Sequence, residues 1–312
     1  MEIEKQYLRL WGELYMKPVL DVTLINACNL RCKMCAFWRR YSLDGDSMSI
    51  EKYIQLLDQV LETKVFGQKI KSIRLDGSRE PLLYKNLARA VKETSDRGLK
   101  PFFLTNGVFL TKDLSVALLE ANLSEISFSV TGYTADVYAE YQGYNKKAGQ
   151  QLQVVKENIQ RFIELRNKMK KNTIIDITYI VSDDSAHEAR QSLQFWKDIG
   201  IDKIVFNNLG NPFRIEREDW NELPLRSSPE CMRLISVLPN GDVIPCCHRN
   251  ERHILGNCFT EHLNNILNGK IVTEFLQHLA TGQLEKIPSE SECHSCVYIR
   301  KLPEANGFRA RM

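Results

Sequence analysis

The stretch VLDVTLINACNLRCKMC, residues 19–35, decides the fold of this chain, because a strand-like run leads directly into three cysteines. Its first nine residues are rich in Val, Leu, Ile and Thr, a composition typical of a β-strand. Cys28, Cys32 and Cys35 follow with the spacing C-x3-C-x2-C. In parallel α/β folds, active sites gather at the carboxyl ends of the strands. We therefore expect the three thiols at that edge, where a metal or cofactor can bind.

Short runs rich in β-branched and aromatic residues alternate with longer amphipathic runs from about residue 19 to residue 210. The short runs predict six strands, over 19–27, 72–77, 101–107, 125–130, 174–182 and 203–209. The longer runs predict helices over roughly 49–63, with Ser49 as N-cap, 82–97, 111–121, 147–170 and 184–199. Six β–α alternations predict an α/β fold in which helices cover a parallel sheet.

The bulk composition indicates an ordinary globular protein. A net charge of +3 on 312 residues is too small to indicate a nucleic-acid or membrane partner. No run reaches the about 18 consecutive apolar residues of a membrane-spanning helix, and the N-terminus lacks the order of a signal peptide. We therefore expect a cytoplasmic protein, in which clustered cysteines indicate metal binding or catalysis rather than disulfides. Its nine cysteines, an odd number, also cannot all pair with one another.

The composition changes after residue 210. Residues 211–230 contain three prolines and many charges, a composition that is typical of a linker. Six further cysteines lie within 231–296, together with a hairpin signal at Asn240-Gly241 and a helix predicted over 260–280. The sequence therefore predicts two domains, a large one over 1–212 and a small cysteine-rich one over 213–312.

The first three cysteines suit an iron–sulfur cluster better than zinc. A structural zinc site takes four protein ligands, and no fourth Cys or His lies near residues 28–35. Three thiolates leave one iron of a four-iron cluster open. The spacing resembles that of the radical S-adenosylmethionine (radical SAM) superfamily, and so do LDGSREP (75–81), LTNG (104–107) and SFSV (127–130). The resemblance covers roughly residues 19–210 and implies a partial (β/α)6 barrel.

The resemblance also implies a reaction. In this family the open iron of a [4Fe-4S] cluster chelates S-adenosylmethionine, and an electron cleaves the S–C5′ bond. The resulting 5′-deoxyadenosyl radical takes a hydrogen atom from the substrate. The cofactor carries this chemistry, while the protein orients it and excludes water. An external one-electron donor such as flavodoxin or ferredoxin is implied.

The resemblance implies further residues that contact S-adenosylmethionine. Phe37, or alternatively Trp38, would pack against the adenine. Backbone groups of Gly77 and Ser78, with Glu80, would meet the methionine amine, and Ser129 and Asn207 would meet the ribose or the carboxylate. Glu80 has an alternative interpretation, as a carboxylate at a helix start beside Pro81. Two positions depart from the family pattern. Met34 stands where an aromatic residue is usual, and Arg79 stands in place of a glycine.

The later cysteines resemble the auxiliary-cluster extension called SPASM, or its shorter relative, twitch. The resemblance implies one auxiliary [4Fe-4S] cluster held by Cys231, Cys246, Cys293 and Cys296, with a zinc site as the alternative. Cys247 and Cys258 remain unassigned. Each is either a buried structural thiol or a donor that returns a hydrogen atom to a substrate radical. Cys247 has a third alternative, in which it replaces Cys246 as a cluster ligand.

These features predict a radical SAM oxidoreductase or epimerase. Electron transfer to the auxiliary cluster would give dehydrogenation, whereas a hydrogen atom returned by a thiol would give an epimer. Because the chain begins almost at the barrel, without a leader-peptide module, we expect a small polyol or sugar-like substrate. A peptide-modifying enzyme is the alternative within the family. A metal-binding interaction or electron-transfer protein is the alternative outside it.

Overall fold

The structure is a computed structural model that describes residues 18–32, 35, 45–65, 67–142, 148–181, 185–208, 234–246, 252–281 and 283–295. The chain divides into two compact units, each assembled from separate stretches of sequence. The first combines Met1–Leu24, Ser47–Ser78 and Ser228–Met312. The second combines Ile25–Asp46 and Arg79–Ser227.

The helices and strands follow in chain order: β1 (Val19–Val22), α1 (Ile50–Glu62), β2 (Lys64–Val65), β3 (Gln68–Lys69), β4 (Ser72–Arg74), α2 (Leu87–Asp96), β5 (Lys100–Thr105), α3 (Lys112–Glu120), β6 (Glu125–Ser129), α4 (Ala135–Tyr141), α5 (Ala148–Lys168), β7 (Ile174–Val181), α6 (Ala189–Ile199), β8 (Lys203–Asn208), β9 (Leu234–Val237), β10 (Asp242–Ile244), β11 (Gly256–Asn257), α7 (Leu263–Asn268) and α8 (Lys270–Thr281). Short 3-10 turns occupy Pro81–Leu83, Ala186–Glu188, Leu284–Lys286 and Glu292–Ser295.

The first unit joins the start of the chain to its C-terminal region. Strand β1 lies between β4 and β9 and runs parallel to both, while β10 and β11 continue from β9 in antiparallel order. Gln59 of α1 also contacts the C-terminal region. Its Nε2 donates to the Cys258 carbonyl over 3.0 Å, and its Oε1 accepts from the Leu263 amide over 2.7 Å.

The second unit contains β5, β6, β7 and β8, which pair side by side in parallel. One face of these strands is apolar and buried, and Phe128 on it meets Phe162 of α5 edge to face. The other face, called the polar face below, carries polar side chains beside apolar ones, among them Leu104 of β5. There, Ser127 donates to Asp176 and lies 2.8 Å from the Thr178 hydroxyl, oxygen to oxygen. Lys203 Nζ lies 3.1 Å from Asp176 Oδ2, at the amino end of β8.

The predicted α/β fold class is confirmed, since each of the six predicted strands is present and runs parallel to its paired neighbours. The Ser49 side chain caps α1, as predicted, by accepting from the Lys52 amide over 3.2 Å. The predicted hairpin is β9–β10, with Gly241 at φ 90° in the turn. Helix 260–280 is present as α7 and α8, which meet at Gly269.

The predicted domain boundary between residues 212 and 213 lies outside the described residues, so that division stays a prediction. Within the described ranges, none of the helices combines the length and the apolar character needed to cross a membrane.

Candidate iron–sulfur and cofactor site

The loop that carries the first cysteines is held in the second unit by hydrogen bonds on both sides of Cys28. The Ala27 carbonyl accepts from the Glu80 amide over 3.0 Å. Asn29 Oδ1 accepts from Asn106 Nδ2 over 2.8 Å. Glu80 begins the segment after β4, and Asn106 follows β5 directly. The cysteine loop is therefore fastened to residues that follow two other strands.

The three thiols of this loop lie within electrostatic range of one another. Burial, together with the smaller contributions from the charges of Glu80 and Cys35, raises the pKa of Cys28 to about 12. Burial is also the main cause that raises the pKa of Cys32, and the charges of Cys28 and Cys35 contribute to the same increase. The Cys28 and Cys32 thiols are therefore protonated at neutral pH when no metal is bound, and metal binding would release those protons. Three soft donors on one short loop fit an iron–sulfur cluster.

Glu80 is almost fully buried, at 1% exposure, and its carboxylate is bonded to protein groups. Oε1 accepts from the Thr105 hydroxyl over 2.6 Å and from the Leu82 amide over 3.0 Å. Oε2 accepts from the Asn106 amide over 2.9 Å. The bond from Leu82 caps the turn Pro81–Leu83, as the helix-start interpretation expects. Contact between Glu80 and a cofactor stays a prediction.

Arg79, the departure from the family glycine, lies beside the cysteine loop. Its side chain is buried, and Nε donates to Asn26 Oδ1 over 2.6 Å. Its positive charge lowers the pKa of Cys28, against the larger opposing effect of burial. Arg79 therefore places a permanent positive charge near Cys28, a predicted cluster ligand.

The turn at Gly77 and Ser78 belongs to the first unit. Both residues have left-handed backbone, with φ 50° and 60°. The Gly77 amide donates to Asp21 Oδ1 over 3.2 Å, and the Ser78 amide donates to Asp76 Oδ2 over 3.3 Å. Because an amine is a hydrogen-bond donor, a methionine amine here would need the carbonyl oxygens of the turn. The predicted contact remains a prediction.

Ser129 ends β6 on the polar face of the second unit, where its register partner is Thr178. Asn207 pairs in register with Ile180, two positions beyond Thr178 on β7, so both predicted contacts lie toward the carboxyl ends of their strands. Sequence reasoning missed Gln142, whose Nε2 donates to the Ser129 carbonyl over 2.6 Å. It also missed Asn106. Both act through tertiary contacts that local patterns do not contain.

Two predicted ligands of the auxiliary cluster lie among the described residues of the first unit. Cys246 follows β10 and is half-buried, and Cys293 lies in the turn Glu292–Ser295 and is buried. The Cys293 amide donates to Ser291 Oγ over 3.3 Å, and that oxygen lies 3.2 Å from Nδ1 of the buried His253. The other predicted positions lie outside the described residues: Met34, Phe37, Trp38, Cys231, Cys247 and Cys296.

Cys258, one of the two unassigned thiols, is buried at 1% exposure. Its amide donates to the Gly241 carbonyl over 2.8 Å, and burial raises the pKa of the thiol to about 12. Among the described side chains, no group of three or more His, Cys, Asp and Glu is placed to hold a single metal ion.

Comparison with known proteins adds two family matches. The model of the radical SAM superfamily matches residues 22–195, and that of the SPASM iron–sulfur cluster-binding domain matches residues 231–297.

Individual relatives differ in what they act on. GTP 3′,8-cyclase of Aquifex aeolicus is 29% identical over 225 residues, which cover 70% of this chain and 63% of that protein. PqqA peptide cyclase of Bradyrhizobium diazoefficiens is 25% identical over 191 residues, which cover 61% of this chain and 46% of that protein. The chain thus spans less than two thirds of the length of these curated relatives. SuiB of Streptococcus suis, solved with precursor peptide SuiA, superposes with a TM-score of 0.63 at 15% identity, over 86% of this chain and 69% of SuiB.

Proposed function

The chain belongs to the radical SAM superfamily, and from that premise we propose that it removes a hydrogen atom from one carbon of a small polyol or sugar-like substrate. Its radical SAM domain implies a [4Fe-4S] cluster and S-adenosylmethionine, and its SPASM domain implies an auxiliary iron–sulfur cluster. When bound, the first cluster supplies the electron that cleaves the S–C5′ bond of S-adenosylmethionine.

Cys28, Cys32 and Cys35 are the proposed ligands of the first cluster. The observation that carries this assignment is the fastening of their loop by the Glu80 amide and the Asn106 side chain. Because both anchors are buried, they hold the backbone on either side of Cys28 in place before a cluster binds. Such preorganisation lets a site bind its group without a further ordering cost. Cys231, Cys246, Cys293 and Cys296 are the proposed ligands of the auxiliary cluster.

The polar face of the second unit favours a hydroxyl-bearing substrate. Ser127, Asp176 and Thr178 place two hydroxyls and a carboxylate on one face of neighbouring strands, while the opposite face is apolar and packs on helices. A face that includes such groups offers the hydroxyls of a polyol partners that a wholly apolar face would not. The relative named as a GTP cyclase acts on a nucleotide, which contains a sugar, and this agrees with the proposal.

A peptide substrate is the second candidate. It is supported by the match to PqqA peptide cyclase, which covers 61% of this chain. The two candidates differ in which compound loses the hydrogen atom, so one labelling experiment separates them.

The test uses anaerobically purified full-length protein with reconstituted clusters, dithionite and S-adenosylmethionine. Carbon-deuterated polyols, nucleotides and peptides are added in turn, and deuterium in 5′-deoxyadenosine is measured by mass spectrometry. Deuterium transferred from a polyol or sugar would support the proposal, and transfer from a peptide alone would support the second candidate. A loaded, reduced protein that forms no 5′-deoxyadenosine with any compound would contradict both.

A further inference from the structure

The hydroxyl of Tyr138 is buried without a hydrogen-bond partner in the part of the chain that the structure describes. The residue is 1% exposed. A buried polar group without a partner costs about 1–3 kcal/mol, so folded proteins nearly always satisfy such groups with protein, water or a bound ion. The Tyr138 hydroxyl therefore requires an acceptor that the described protein groups do not supply.

The helix that carries Tyr138 is held tightly against the end of β6. Gln142 follows α4, and its side chain donates to the Ser129 carbonyl over 2.6 Å and accepts from the Thr131 amide over 2.7 Å. Gly132 lies in the turn between β6 and α4 with φ +89°, and a Cβ there would lie 2.8 Å from the Tyr138 amide nitrogen. Only glycine fits this close approach without displacing the helix. The position of Tyr138 is therefore set by contacts at both ends of α4.

Tyr138 and Cys32 lie within electrostatic range of each other in the second unit. Burial is the main cause that raises the pKa of Tyr138, and the negative charge of Cys32 raises it further. The same environment contains Cys28 and Cys35, whose charges raise the pKa of Cys32. The fold also brings the two together, because the cysteine loop is bonded to Asn106 after β5, and α4 follows β6, the strand paired with β5. The unsatisfied donor thus lies at the same edge of the sheet as sulfur atoms that become anionic when metal binds.

We propose that the Tyr138 hydroxyl donates a hydrogen bond to a sulfur of the iron–sulfur group held at Cys32, and thereby raises the reduction potential of that group. The inference rests on the proposed ligation by Cys32. A hydrogen bond to an anionic sulfur is strongest in the reduced, more negative state, so it stabilises that state relative to the oxidised one. Tyr138 is accordingly a positioning and tuning residue for the electron that the reaction consumes.

The test compares wild type with Tyr138→Phe, as anaerobically reconstituted full-length protein. The midpoint potential is measured by redox titration with electron paramagnetic resonance, on the signal that changes when S-adenosylmethionine is added. We expect the ratio of reduced to oxidised cluster at fixed solution potential to fall about tenfold, a midpoint about 59 mV more negative for a one-electron couple. Removing an unpartnered hydroxyl leaves the core packing in place, so the variant should fold.

Tyr179→Phe is the matched control. Tyr179 is equally buried in the same unit, but its hydroxyl donates to the Ser185 carbonyl over 2.9 Å. The Tyr179→Phe variant should therefore have the same midpoint potential as wild type. An equal shift in Tyr179→Phe, or no shift in Tyr138→Phe, would overturn the inference. Weaker S-adenosylmethionine binding by Tyr138→Phe at an unchanged midpoint would overturn it too, since the hydroxyl would then contact that cofactor.

Failure of the proposed function has a different signature. A wild-type protein that binds no iron after reconstitution would overturn the cluster assignment and this inference together. A wild-type protein with a reducible cluster and an unaltered Tyr138→Phe midpoint would overturn this inference alone.

Discussion

Ser236 Oγ donates a hydrogen bond to Asp21 Oδ2 over 2.8 Å, although the two residues are 215 positions apart in the chain. Asp21 lies on β1 and Ser236 on β9, and the two residues are register partners in the parallel pair. The other oxygen of Asp21 accepts from the Gly77 amide over 3.2 Å. One buried carboxylate therefore connects the first strand, the turn after β4 and strand β9 of the C-terminal region.

Replacing Asp21 with Asn should change how stability depends on pH. Burial raises the pKa of Asp21 to about 6 from its ordinary 3.8, against the opposing charge of Arg74. Because the folded protein holds this proton more tightly than the unfolded chain, stability falls as pH rises from about 4 to about 6. The difference between the two pKa values corresponds to about 3 kcal/mol.

Urea unfolding of wild type and Asp21→Asn at pH 4.5 and pH 7 measures this effect. The wild type should lose more stability between the two pH values than the variant, which has no carboxyl to ionise. Asp176, whose pKa burial also raises to about 6, is present in both proteins and cancels in the comparison. Equal losses would show that Asp21 does not titrate as described.

Replacing Glu80 with Gln should weaken the cysteine loop and lower iron content. The Glu80 carboxylate accepts from the Thr105 hydroxyl and from the Leu82 and Asn106 amides, and a Gln amide would turn a donor toward at least one of these donors. We expect a loss of about 1–3 kcal/mol in the free energy of unfolding. Iron analysis and urea unfolding measure the two effects.

Glu93→Gln is the control for this prediction. Glu93 pairs with Arg97 on α2 over 2.7 Å, but both side chains are partly exposed. Loss of such a surface pair costs about 0–1 kcal/mol. Comparable losses of iron from the two variants would contradict the anchoring role of Glu80.

Replacing Cys258 with Ala should show whether a thiol returns a hydrogen atom to the substrate radical. With the pKa of its thiol raised to about 12, Cys258 keeps its hydrogen at neutral pH, as a hydrogen-atom donor must. If Cys258 returns that hydrogen, Cys258→Ala should retain iron and 5′-deoxyadenosine formation but give an oxidised product in place of an epimer. Cys32→Ala, in contrast, should lose one cluster and all 5′-deoxyadenosine.

Product analysis in deuterium oxide completes this test. Solvent deuterium in the product of wild type, absent in Cys258→Ala, would support the thiol as donor. A product from wild type that is oxidised and free of solvent deuterium would instead support electron transfer to the auxiliary cluster.

Strands and cysteine positions could be predicted from the sequence because their signals are local. Six runs of β-branched and aromatic residues gave six strands, and the spacing of Cys28, Cys32 and Cys35 is visible in eight residues. The pairing of β1 with β9 could not be predicted, since no local pattern specifies a partner more than two hundred residues away. The hydrogen bonds that hold the cysteine loop could not be predicted for the same reason. In the sequence, Asn106 is an ordinary residue after a strand, and only its tertiary contact with Asn29 shows its role.

Replacing Gly77 with Ala should be costly for two separable reasons. The residue has φ +50°, and an added Cβ would lie 1.9 Å from Thr23 Oγ1 and 2.6 Å from Thr23 Cα. The left-handed backbone costs about 1–2 kcal/mol for a residue with a Cβ. Displacing β1 backbone near Thr23 adds about 1–3 kcal/mol, as overpacking does elsewhere.

Gly98→Ala separates the two contributions, because Gly98 also has a left-handed backbone, with φ +72°, but a Cβ there meets nothing within 4 Å. Urea unfolding should show the smaller loss for Gly98→Ala and the larger for Gly77→Ala, and the excess measures the contact with Thr23. If Gly77 also contacts S-adenosylmethionine, equilibrium binding should weaken in Gly77→Ala and stay unchanged in Gly98→Ala. Equal losses of stability in the two variants would contradict the close packing of the Gly77 turn on β1. The left-handed backbone alone would then account for the loss in both variants.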